Sequence, residues 1–272
     1  MDFSRHITNT IEWFYFEDVT SGRERDASVL VLGDKETTAP FVTLLEPRVH
    51  QVSRRLDDST YDYVVIPVLT KKILRLFQGD VHTMLHALTE TWLKKGGRIL
   101  MGIENALDID RMASGDRKED VLYLRWSELA SLRATLREEQ PGARETLYYL
   151  TPELSIPLHF YSDARMPDVS EEDEKTALLI RENRFREFVP AYFYIYQPDG
   201  SVRPKARDYR RFLPDYIKYN STRKPAYAIK TLLYRDDQGK RFAVKAGTTP
   251  EANAHIESLS EKAEAIAAAN PQ

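Results

Sequence analysis

Residues 79–105 read GDVHTMLHALTETWLKKGGRILMGIEN. The apolar positions Val81, Met84, Leu85, Leu88 and Trp92 recur at helical spacing, which predicts an amphipathic helix between Gly79 and Lys95. Lys94-Lys95-Gly96-Gly97 supplies a basic last turn and a glycine stop. Arg98–Glu104, RILMGIE, then reads as an apolar strand, and Tyr61–Val68, YDYVVIPV, as another upstream. Strand, helix and strand in that order predict a crossover onto a parallel sheet.

Working outward, Ala27–Gly33 (ASVLVLG) is a short β-branched run ending in glycine, and Val49–Ser53 (VHQVS) lies between it and Tyr61. This alternation makes about the first 150 residues doubly wound. Ser127–Leu136 reads as a helix with Ser127 as N-cap, and Thr146–Leu150 (TLYYL) as a late strand. The acidic run Ser170–Lys175 reads as a solvated connection. Ala177–Phe188 is expected to be a helix leading into the aromatic strand Ala191–Tyr196, AYFYIY. Ala226–Tyr234 and Arg241–Lys245 flank the turn sequence RDDQG and predict a β-hairpin. Thr249–Ala269 follows as a helix with Thr249 as N-cap and Pro250 at its first position. The expected organisation is an α/β domain over 1–165, a connecting helix, aromatic strand and basic segment over 166–222, and a hairpin plus helix over 223–272.

Composition narrows the function classes. At 272 residues, 42% hydrophobic and 30% charged, the chain can bury a substantial core. Cysteine is absent, which excludes disulfides, a thiolate nucleophile and cysteine-held zinc or iron–sulfur centres, and suits the reducing cytoplasm. The start, MDFSRHITNTIEWFYFED, lacks a charged leader followed by an apolar core, and no run is apolar for long enough to span a bilayer. Net charge is −3, yet Arg203 to Lys245 carries thirteen Lys or Arg against four Asp.

The segment VLVLGDKETTAPF sits where a nucleotide-binding sheet places its first strand and ligand loop. Gly33 is the glycine there, with Asp34, Lys35 and Glu36 following, and no G-x-G-x-x-G pattern is present. Gly33 serves equally well as the pivot of a tight structural turn. KKGGRILMGIEN puts Glu104 and Asn105 at the carboxyl edge of the sheet, where open α/β folds bind ligands. His82 and His86 share a helix face at metal-ligand spacing, but the Glu of H-E-x-x-H and a third ligand are missing, so no metal is expected. Neither a G-x-S-x-G elbow nor a G-x-x-x-x-G-K-[ST] loop occurs.

Taken together, YDYVVIPVL, WLKKGGRILMGIENALDI and RWSELASL resemble the fourth-strand, fifth-strand and post-strand segments of class I S-adenosylmethionine-dependent methyltransferases. YYLTPELSIPLHFYSDARMP and ENRFREFVPAYFYIY look, more narrowly, like a bacterial methyltransferase-like group of cell-surface polysaccharide synthesis. The resemblance implies a shortened Rossmann-like methyltransferase sheet with a hairpin-and-helix extension. It implies S-adenosylmethionine as cofactor, held by Gly33, Asp34, Ile66, Pro67, Glu104 and Asn105, and a sugar or sugar-phosphate acceptor. The chain departs from the family at the cofactor loop, where Val31 replaces the acidic residue and Lys35 and Thr37 stand at glycine positions. The interval Val52–Tyr61 is too short for the usual second helix and third strand, which leaves Asp57 and Asp58 as stand-ins for the ribose carboxylate. These departures keep a second reading open, an inactive methyltransferase-like scaffold or regulator of a glycan-synthesis partner.

A third reading comes from YAIKTLLYRDDQGKRFAVKAG and the helix after it, which resemble the start of a protein-kinase-like small lobe. That resemblance implies Lys245 as a phosphate-binding lysine with Glu257 or Glu261 as partner, in a chain that ends before any catalytic motif. Tyr209, Phe212, Tyr216, Tyr219 and Tyr227 interleave with basic residues, and an ordinary charged surface over an aromatic core is favoured over a nucleic-acid platform.

Overall fold

The computed structural model describes residues 26–47, 49–169, 174–200, 213–220, 223–236, 238–247 and 249–269. Outside them lie the N-terminal segment, residues 170–173 of the acidic run, and residues 203–212 of the basic stretch, with Tyr209 and Phe212.

The first strand, β1 (Ser28–Val31), is buried along its whole length and leads into helix α1 (Lys35–Leu45). Short β2 (Gln51–Ser53) and β3 (Tyr61–Ile66) follow, then α2 (Lys71–Leu76) and α3 (Val81–Ala87). Next come β4 (Leu93–Asn105), α4 (Ile109–Ser114), β5 (Tyr123–Leu124) and α5 (Trp126–Glu139). The remainder is β6 (Arg144–Thr151), β7 (His159–Ser162), α6 (Glu174–Arg181), α7 (Phe185–Phe188) and β8 (Ala191–Gln197). It closes with β9 (Tyr216–Tyr219), β10 (Ile229–Arg235), β11 (Arg241–Gly247) and α8 (Pro250–Ala269).

One sheet joins all of these strands in the order β11-β10-β9-β7-β6-β8-β4-β3-β1-β2, with β5 attached to β4. From β2 to β4 every pairing is parallel, and β5 pairs parallel as well. β8 lies antiparallel between β4 and β6, so β6 runs in the same sense as β4. The remaining pairs out to β11 are antiparallel. The chain therefore has the expected Rossmann-like α/β sheet, shortened because β2 connects to β3 through residues 54–60 with neither helix nor strand between. The segments that resemble the fourth and fifth methyltransferase strands, β3 and β4, are neighbours at the centre. The predicted hairpin extends this same sheet.

Strand alternation sorts the core onto two faces. Val29, Val31 and Val65 pack with Phe41, Val42 and Leu45 of α1. Leu30, Val64, Ile66 and Met101 pack on the other face with Ile73 of α2, Met84 and Leu85 of α3 and Leu129 of α5.

Three local expectations are corrected. The helix expected to run from Gly79 to Lys95 ends as α-helix at Ala87, continues through one wide turn to Trp92, and gives way to β4 at Leu93. Lys94–Gly97 thus belongs to a strand. Pairing moves from Tyr61 opposite Leu93 to Tyr63 opposite Arg98, a bulge in which Gly96 takes φ 79°. A Cβ on Gly97 would come within 2.8 Å of the Asp62 carbonyl, so the pair of glycines admits a bulge and a close strand instead of stopping a helix. Ser127 is inside the first turn of α5. Arg125 holds the cap position, its N–H donating to the Glu128 carboxylate at 2.7 Å. The helix expected over Ala177–Phe188 is split into α6 and α7 at Asn183, whose φ is 55°. Thr249 does cap α8, its Oγ1 accepting from Ala252 N at 3.0 Å.

Candidate functional site

Strand order locates a ligand edge before any side chain is considered. From β1 the chain passes through α1 to β2 on one flank, then returns to β3 on the other, so the order reverses between β1 and β3. Ligands of open α/β sheets bind outside the carboxyl ends of the strands at such a point. A cleft of about 290 Å³ opens there. Leu32, Gly33 and Asp34 enter it after β1, and Arg54, Arg55 and Leu56 after β2. Thr70, Lys72, Ile73, Leu76 and Asp120 complete its wall.

The expected site residues divide between this cleft and the scaffold behind it. Gly33 lines the cleft, and a Cβ there would meet Thr38 Cγ2 at 2.9 Å and Thr37 Oγ1 at 3.0 Å. The glycine thus makes room for the threonines of α1. Asp34 also lines the cleft, and its carboxylate caps α1, accepting from Thr37 N at 2.9 Å. Ile66 and Pro67 are buried behind the cleft and are not part of its wall. The Pro67 carbonyl lies so close to β4 that a Cβ on Gly102 would sit 2.1 Å from it.

Glu104 and Asn105 are both buried and already engaged. Arg111 Nη1 meets the Glu104 carboxylate at 2.7 Å. Burial pushes that carboxyl above the usual glutamate range, and the Arg111 contact only partly offsets it. Asn105 Nδ2 donates to the Glu187 and Val189 carbonyls at 2.8 and 2.7 Å, and its Oδ1 accepts from Leu107 N at 3.0 Å. Asn105 therefore ties the end of β4 to the entry of β8.

The stand-in carboxylates do not face the cleft. Asp57 accepts from the Tyr61 hydroxyl at 2.7 Å and from Ser59 N at 2.9 Å, bonds that hold its carboxyl below the usual range. It organises the turn between β2 and β3, while Asp58 is exposed and outside the cleft wall. The residues that do follow β2 into the cleft are Arg54 and Arg55. Reading the sequence for a carboxylate passed over them, although their place directly after VHQVS was visible.

A second cavity, of about 270 Å³, lies along the same edge. Asp108 and Asp110 reach it after β4, Thr151 and Pro152 after β6, His159 from the start of β7, and Lys175 from α6. Lys175 Nζ bonds Asp110 at 2.5 Å, and His159 Nδ1 is 2.8 Å from the Tyr216 hydroxyl. These residues come from four separate segments, so no motif could have announced them.

The remaining sequence features sit elsewhere. Lys245 is exposed on the edge strand β11, opposite Thr231, and Glu257 and Glu261 are exposed on α8. His82 bonds Glu139 at 2.7 Å, and His86 lies 3.3 Å from Glu90. Tyr216 and Tyr219 are buried in β9, whereas Tyr227 is exposed and packs edge-on against His255. Among the described residues no helix is long and apolar enough to cross a membrane.

S-Adenosylmethionine can be tested against this cleft. Leu32, Leu56, Ile73 and Leu76 offer an apolar wall for an adenine ring. A ribose diol, however, needs an acceptor carboxylate at the end of the second strand, and the structure puts two guanidinium groups there, which can only donate. A cationic sulfonium gains nothing from Arg54, Arg55 and Lys72, which outnumber the two wall carboxylates, Asp34 at the cap of α1 and Asp120. The residues present do not fit the methyl donor.

No protein-family model matches the chain, and no curated protein does either. Among solved structures it is similar to a plantazolicin methyltransferase in complex with a monoazolic desmethyl analogue and SAH, at 14% identity and TM-score 0.40, covering 70% of this chain and 82% of that one. A SAM-dependent methyltransferase from Thermotoga maritima, described as a possible histamine N-methyltransferase, matches at 12% identity and TM-score 0.35 over 71% of this chain and 92% of its own. A SAM-dependent methyltransferase from Archaeoglobus fulgidus matches at 14% identity and TM-score 0.34 over 70% and 94%. The strand order, parallel from β2 to β4 with its reversal between β1 and β3, is by itself Rossmann-like.

Proposed function

We propose that this chain is a methyltransferase-like protein that keeps the sheet and a ligand cleft but not the methyl donor's site, and acts as a scaffold or regulatory partner in cell-surface glycan synthesis. One observation carries the reading: Arg54 and Arg55 occupy the position after β2 where the donor's ribose requires a carboxylate. The altered loop agrees with it, since Gly33 and Asp34 serve the start of α1.

A second reading is a SAM-dependent transferase acting on a sugar or sugar-phosphate. It is favoured by the cavity around His159, Asp110 and Lys175, which adjoins the same sheet edge and offers polar groups to a hydroxylated acceptor. Calorimetric titration of the folded protein with S-adenosylmethionine and with its demethylated product separates the two. The scaffold reading expects no heat of binding at millimolar ligand. Micromolar affinity for either compound overturns it and restores the transferase.

A further inference from the structure

From the cleft's cations we infer that the switch-point cleft binds a nucleotide carrying a phosphate ester on its ribose. The inference rests on the reading of this cleft as a ligand site without S-adenosylmethionine. Arg54 and Arg55 follow the second strand, roughly twenty residues beyond Gly33, the position that meets the ribose hydroxyls in this class of sheet. A carboxylate there accepts from a free diol, whereas arginine there suits a ribose phosphate, because a guanidinium donates in a fork that matches phosphate oxygens.

Lys72, from the start of α2, adds a third cation to the wall. Among the described residues none of the three forms an ion pair, whereas Lys94, Arg111, Arg133 and Lys175 all do. The carboxylates on the same wall are Asp34, which caps α1, and Asp120, two against three cations. A doubly charged phosphate would therefore meet a cationic excess.

The rest of the wall supplies the other half of a nucleotide site. Leu32, Leu56, Ile73 and Leu76 present apolar surface, suited to a base, beside the basic group. At about 290 Å³ the cleft lies just below the usual range for small-molecule pockets, which limits its occupant to a small ligand.

Four probes titrated into the full chain test this: adenosine 2′,5′-bisphosphate, adenosine, inorganic phosphate and S-adenosylhomocysteine. Arg54→Gln/Arg55→Gln and Lys72→Gln variants run beside the parent, with unfolding midpoints confirming that each is folded. The bisphosphate is expected to bind at least tenfold more tightly than adenosine or phosphate alone. The arginine pair should lose at least tenfold of that affinity and Lys72→Gln a smaller factor, with the parent's binding weakening as salt rises. Binding that is equal for adenosine and the bisphosphate, or unchanged in the folded arginine variant, overturns the inference and leaves the scaffold reading intact. Tight binding of S-adenosylhomocysteine overturns both. Phosphate binding as tightly as the bisphosphate would replace the nucleotide with a simple anion and likewise overturn it.

Discussion

The two halves of the sheet treat polar groups in opposite ways. From β6 to β11 the strands are antiparallel and rich in tyrosine, and four buried hydroxyls of β6 and β8 are partnered inside the protein. Tyr194 donates to Glu145 at 2.7 Å, Tyr149 to Asp163 at 2.7 Å, Tyr148 to the Pro214 carbonyl at 2.7 Å and Tyr192 to the Arg186 carbonyl at 2.9 Å. Burial pushes the Tyr196 phenol up to about 12, those of Tyr149, Tyr192 and Tyr194 further, and that of Tyr148 well above the ordinary phenol value, so all remain donors across the working pH range. From β1 to β4 the strands are aliphatic and parallel, and at their carboxyl edge Arg54, Arg55 and Lys72 line a cleft without an ion pair to another described residue. Satisfied polar groups hold a structure together. Groups left unsatisfied around a cavity are available to a ligand.

The largest effect should come from breaking the antiparallel half's network. Glu145 accepts from Arg133 Nε at 3.1 Å, from Arg137 and from the Tyr194 hydroxyl, with its side chain and that of Arg133 only 9% exposed. Glu145→Ala leaves the buried Arg133 guanidinium with only Asp163, at 3.6 Å, and the Tyr194 phenol without its acceptor, so urea unfolding should show a loss of about 3 kcal/mol. A loss below about 1 kcal/mol would mean that solvent reaches Arg133 freely and that the half is not held by its polar pairs.

The parallel half has a weaker anchor of its own kind. Asp62 on β3 accepts from Ser28 N at 2.8 Å, Ser28 Oγ at 2.9 Å and Lys94 Nζ at 2.8 Å. Burial opposes its ionisation, but the bonds from Lys94 and Ser28 outweigh burial and hold the carboxyl below the ordinary aspartate value of 3.8. A carboxylate depressed on folding contributes stability above its unfolded pKa and loses that contribution as pH falls through the folded one. Because the side chain is about a third exposed, Asp62→Asn should cost only about 1 kcal/mol at pH 7. The difference between parent and variant should close as pH drops through the range below 3.8, as followed by chemical unfolding. A gap that persists in acid would assign the loss to packing instead of charge.

How much of this was legible in the sequence follows the same division. Apolar runs such as YDYVVIPV and RILMGIE named their strands because a strand buried on both faces tolerates little else. The Gly96-Gly97 pair misled because glycine marks a helix stop and a strand bulge equally well, and only the pairing of β4 with β3 decides between them. Glu104 and Asn105 were correctly placed at the carboxyl edge, but a one-dimensional reading cannot see that Arg111 and the Glu187 and Val189 carbonyls already claim them. The cavity around His159 was invisible, being assembled from segments that share no local pattern.

The smallest expected effect bears hardest on the comparison. If Arg54 and Arg55 are held for a ligand and not for the fold, replacing both with alanine removes no partner and buries no new surface. The double variant's unfolding midpoint without ligand should then match the parent's to within about 0.5 kcal/mol. The same pair of changes should abolish the rise in midpoint that a bound nucleotide gives the parent, because a ligand that binds only the folded state stabilises it in proportion to its occupancy. A clear loss of stability in the ligand-free double variant would show that the two arginines belong to the scaffold after all, and the distinction between the halves would then rest on the tyrosines alone.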